Sequence, residues 1–89
     1  MNKTIITVVG KDSIGIIANI CTYLSKKEIN VLNISQTIVD GFFNMMMIVD
    51  MPENVEFAVT SDELVQLGEK LGVVVKLQRE EIFNKMHRI

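Results

Sequence analysis

One cysteine, one proline, one histidine and no tryptophan occur in the 89 residues of this chain. A lone thiol, Cys21, closes no internal disulfide and offers no cysteine pair to a soft metal. His87 has no second metal ligand at a helical spacing from it, so no metal and no cofactor is expected. Catalysis finds little to use, because no nucleophile can be assigned together with a base. Basic excess is missing as well: 9 Lys and Arg stand against 11 Asp and Glu, a net charge of -2. Without an overall positive field, nucleic acid is disfavoured as a partner. Long apolar runs are absent too, since the first, Ile5 to Val9, is far too short for a signal peptide or a membrane span. These absences lead to the expectation of a cytoplasmic protein with no membrane partner.

What is present is a composition suited to a packed core, 48% hydrophobic and 22% charged residues with no low-complexity run. Such a chain folds along its whole length, and 89 residues allow one domain, 1–89, that needs neither disulfide nor metal. Lys3 to Val9 is β-branched and apolar on both faces, as a central strand is. From Gly15, the residues Ile17, Ile20, Cys21 and Leu24 recur at i, i+3, i+4 and i+7, which predicts an amphipathic helix ending near Glu28. Asn30 is the expected stop. Val31 to Val39 reads as a strand with Leu32, Ile34 and Ile38 on one face and Asn33, Ser35 and Thr37 on the other.

Asp40-Gly41 is a two-residue hairpin signal, so Phe42 to Met51 must pair antiparallel with the strand before it. Pro52 breaks that strand, Asn54 is the expected cap, and Phe57, Leu64 and Leu71 mark the apolar face of a second helix that Gly72 stops. Val73 to Arg79 alternates Val73, Val75 and Leu77 with Val74, Lys76 and Gln78, a last strand with one mostly wet face. Ile82, Phe83, Met86 and Ile89 then share one side of a short helical extension over 79–89. The order βαββαβ is the ferredoxin-like plan of the α+β class: a four-stranded antiparallel sheet with two helices on one face, plus a short C-terminal helix.

The stretch with the most chemistry runs from Val8 to Ile17, where a strand leaves through a glycine-bounded polar loop into the first helical turn. Asp12 and Ser13 offer capping oxygens, and with Ser13 as cap the amides of Gly15 and Ile16 fall at the second and third helical positions. A helix N-terminus carries about half a positive charge, so a carboxylate or phosphate can sit there. Gly10 and Gly15 put no Cβ between backbone and visitor. From composition alone the same residues read first as a capped turn that binds nothing, in which Asp12 is either a second cap or a ligand group. They form no phosphate loop, because Ile16 and Ile17 follow Gly15 where lysine and a hydroxyl residue would be needed.

The second hairpin strand is apolar on both faces: Phe43, Met45, Met47, Val49 and Met51 on one, Phe42, Met46 and Ile48 on the other. Its methionines read as core rather than as metal ligands. Since helices cover one face only, the terminal helix, a second subunit or both must cover the rest.

Val9-Gly10-Lys11-Asp12-Ser13-Ile14-Gly15-Ile16-Ile17-Ala18, followed by Leu24, Ile29-Asn30-Val31 and Asn33-Ile34-Ser35-Gln36, resembles the signature half of the ACT domain. The likeness spans essentially the whole chain and is strongest to the small stand-alone bacterial members. It implies a regulatory, ligand-sensing domain, often for amino acids, that dimerises side by side and holds its ligand near the subunit interface. The family loop falls on Gly10 to Ile16, so the resemblance implies a site of Gly10, Asp12, Ser13, Ile14, Gly15 and Ile16, with Asn33 and Ser35 from the next strand. Ile14 departs from the pattern, because many members have a proline there that pre-sets the helical turn.

The expected function is therefore a non-enzymatic sensor of a small metabolite, an amino acid first, acting as a homodimer or higher oligomer on a further protein. A rival is an interaction or scaffold module that oligomerises without a ligand. An acylphosphatase-like enzyme on the same plan is weaker, since the loop holds no arginine to grip phosphate.

Overall fold

The computed structural model describes residues 3–11 and 15–80. Its elements are β1 (Lys3–Lys11), α1 (Ile16–Lys26), β2 (Asn30–Val39), β3 (Phe42–Asp50), α2 (Phe57–Leu71) and β4 (Val73–Arg79). The sheet order is β2-β3-β1-β4 and every pairing is antiparallel. This is the ferredoxin-like plan that the alternation of strand and helix patterns predicts. Arg79 closes β4, and the expected helix over the tail lies, from Glu81 on, outside the described residues.

β1 is central, as its two-sided apolar sequence requires. Ile6 faces Met47 on one side and Leu77 on the other, and Val8 likewise faces Met45 and Val75. Those rungs meet Ile16, Ile20 and Leu24 of α1 and Leu64 of α2 in one core. Met45, Met47 and Met51 all belong to it, so these methionines fill the interior.

Local signals fix the joints. Asp40 and Gly41 have φ of 51° and 79°, the paired positive values of a primed hairpin turn. Gly72, at φ 78°, ends α2. α1 stops earlier than expected, at Lys26, and the left-handed residue beyond it is Glu28, φ 58°, rather than Asn30. The amides of Glu28 and Ile29 donate to the carbonyls of Ser25 and Leu24 at 3.0 and 2.9 Å. That is a Schellman closure, with buried Ile29 as its apolar clasp. α2 starts after Glu56, which is extended and makes no side-chain cap, so Asn54 is not the cap. A Cβ on Gly68 would lie 2.6 Å from a methyl of Val75, so glycine lets α2 press close onto β4.

Candidate functional site

β1 runs two residues further than the sequence suggests, so Gly10 lies inside the strand, opposite Phe43 and Val73. A Cβ there would stand 2.7 Å from Val73 Cγ1 and 3.0 Å from its Cα. The space beside Gly10 is already taken by β4. Its lack of a side chain serves strand packing, because a Cβ there would meet Val73.

α1 begins at Ile16, with Gly15 at the cap position in left-handed geometry, φ 91°. The expected cap, Ser13, is thus displaced by a residue that has no side chain to cap with. The Gly15 carbonyl accepts the Asn19 backbone amide at 2.9 Å and the Asn19 side-chain amide at 2.7 Å. The amides of Ile16, Ile17 and Ala18 precede the first helical hydrogen bond and form the donor group of this helix start. Ile16 contributes backbone only, because its side chain is in the core. Asp12, Ser13 and Ile14 lie outside the described residues.

Asn33 and Ser35 are placed elsewhere. Asn33 pairs with Ile48 and Ser35 with Met46, on the sheet face away from the helices, whereas Ile34 pairs with Met47 on the helix side. A bulge between Val31 and Asn33 leaves Leu32 without a register partner. Within one chain, then, the start of α1 and this pair occupy opposite faces of the sheet. Ser35 instead borders a hollow of about 210 Å³ with Thr7, Val9, Thr37, Asn44 and Met46.

A second polar cluster, which no sequence spacing announces, joins the helices. Tyr23 of α1 donates its hydroxyl hydrogen to Glu63 Oε1 of α2 at 2.7 Å, and Lys27 Nζ lies 3.4 Å from the same oxygen. Burial and the facing Glu63 carboxylate push the Tyr23 phenol above its ordinary range. Glu63 is held below the usual carboxylate range, chiefly by the Tyr23 hydrogen bond and further by Lys27. Lysine and glutamate residues line a groove of about 490 Å³ beside it, at the C-terminal end of α1. Among the described residues no group of His, Cys, Asp and Glu is gathered to hold a metal ion, and no helix is long and apolar enough to cross a membrane.

A model of the ACT domain matches residues 2–78. The chain belongs to the ACT domain family. ACT domains are regulatory, ligand-binding modules, and they often dimerise. A UPF0237 protein from Bifidobacterium longum is 60% identical over 90 residues, covering 100% of both chains. An ACT domain protein from Streptococcus pneumoniae has a solved structure that superposes with a TM-score of 0.83 at 38% identity, over 92% of this chain and 93% of that one. A formyltetrahydrofolate deformylase from Pseudomonas putida shares the ACT fold alone: TM-score 0.78, 18% identity, 86% of this chain but 28% of that one.

Proposed function

We propose that this chain is a non-enzymatic, cytoplasmic ACT sensor that binds a small carboxylate-bearing metabolite, an amino acid first, where two copies meet along β2. The exposure of β2 carries the reading. Every residue from Asn30 to Val39 is exposed, and five of them are large and apolar: Val31, Leu32, Ile34, Ile38 and Val39. Ile34 and Ile38 stand on the helix side of the sheet, yet remain 43% and 59% exposed. β2 is also an edge strand, with one side of its backbone open to a new partner. A second copy laid against it continues the sheet, buries those side chains and satisfies that edge.

In this reading the ligand carboxylate accepts from the first-turn amides of Ile16, Ile17 and Ala18, and Asp12 pairs with its ammonium group. Gly15 keeps the approach clear, because the left-handed turn that it makes carries no side chain. Asn33 and Ser35 are not part of this contact, because a sheet continued along β2 keeps their face opposite the start of α1. Output then passes to another protein.

The scaffold reading rests on the same edge strand without the ligand, and one experiment separates the two. Thermal unfolding of the dimer is followed with each common amino acid present. A ligand at about 100 times its dissociation constant stabilises by roughly 2.7 kcal/mol, which moves the melting temperature of a small domain by several degrees. Asp12→Ala should abolish that shift. A dimer that melts identically in every amino acid favours the scaffold.

A further inference from the structure

Burial on the open face of the sheet is graded along its length. The rungs there are Phe42–Lys11, Asn44–Val9–Val74, Met46–Thr7–Lys76 and Ile48–Ile5–Gln78. Nearest the hairpin, Val9 is 45% and Val74 59% exposed; at the far end Ile5 is 4% exposed, and Ile48 and Gln78 are half-buried beside it. Ile5 points away from both helices and stands outside the core cluster that they form with the sheet. The closed end of this face is the end where β4 finishes, since Arg79 pairs with Thr4. Glu80 leaves on the open side, and its carboxylate pairs with Lys3 of β1 at 4.0 Å. The last described residue thus reaches β1 with its side chain on the open side, at the end where Ile5 is buried.

We propose that residues 81–89, outside the described part of the chain, seat on this end of the open face and cover Ile5 and Ile48. Nine residues as a helix reach about 13 Å, and crossing from β4 over β1 to β3 takes about 10 Å. The segment has the needed stripe: Ile82, Phe83, Met86 and Ile89 share one side, while Glu81, Lys85 and Arg88 fall toward solvent. The occupant is thus this chain's own end, and the face nearer the hairpin, around Val9 and Val74, stays open.

Isotope-filtered NMR on the full chain tests this directly. Nuclear Overhauser contacts are expected between the Phe83 ring and the Ile5 and Ile48 methyls, within single chains in a mixture of labelled and unlabelled protein. Contacts seen only between labelled and unlabelled chains would give the seat to a second copy and overturn the assignment, as would no contact at all. A thermal cycle reads the same question in energy. Ile5→Ala and Phe83→Ala should each lower the melting temperature by several degrees, and the double variant should lose clearly less than the sum. Strict additivity counts against the proposal.

Discussion

β2 and β3 are the two arms of one hairpin, and apolar side chains on the helix side have different consequences in each. In β3, Phe43, Met45, Met47 and Val49 are buried beneath the helices, alternating with more exposed residues. In β2 the corresponding row, Val31, Ile34, Gln36 and Ile38, faces the same side and is exposed throughout. No residue of β2 belongs to the core cluster. The difference is position: β3 lies between β1 and β2, while β2 stands one strand further out. Alternation in a strand tells which side chains share a face; whether anything covers that face depends on where the helices settle.

The largest expected contrast is between neighbours on one rung. Met47→Ala removes a fully buried side chain and should cost about 2–5 kcal/mol, most of what a domain of this size has. Ile34→Ala, directly opposite it, should cost the isolated subunit no more than about 0.5 kcal/mol. Urea unfolding at high dilution measures both. Equal costs would mean that β2 is covered within its own chain.

A second substitution moves the contrast from stability to assembly. Ile34→Lys with Ile38→Lys puts two charges on the uncovered row while leaving the core untouched, so the subunit should stay folded and sediment as a monomer at micromolar concentration. An unchanged mass would place the interface elsewhere.

Much of this architecture is legible in the sequence because its signals are local. Asp40-Gly41 fixes a turn by backbone geometry alone, Gly72 ends a helix the same way, and Val73 to Arg79 declares its faces by strict alternation. Gly10 is the opposite case. Its neighbours in sequence suggest an open loop, but its reason for being glycine is Val73, more than sixty positions away and set beside it only by the sheet. Gly10→Ala should therefore cost about 1–3 kcal/mol, since a side chain there meets β4 at 2.7 Å. A neutral Gly10→Ala would restore the loop reading. The helix start differs for a related reason: Ser13 satisfies the composition of a cap, while the left-handed turn at Gly15 decides where the cap falls. Asn33 and Ser35 are legible as a shared face, but not as the face opposite the start of α1, since periodicity does not say which face the helices take.

The smallest expected effect concerns the tie between α1 and α2. Tyr23 and Glu63 tie α1 to α2 through one hydrogen bond, with Lys27 alongside. Both groups titrate, and in opposite senses. Glu63, held below its ordinary 4.5, contributes stability that is present above that pH and lost as pH falls through its lowered value. Tyr23, raised above its ordinary 10.0, contributes stability fully present below pH 10 and lost as pH climbs toward its raised value. The tie should therefore hold across the neutral range and weaken at both extremes. In Tyr23→Phe the hydroxyl is gone, so the loss of stability above pH 10 should flatten and part of the acid limb should go with it. Glu63 is exposed, which keeps the change small against that of Met47→Ala. Urea midpoints compared between pH 4 and 11 are the measurement. If wild type and Tyr23→Phe trace parallel curves at both ends, the tie contributes nothing to stability.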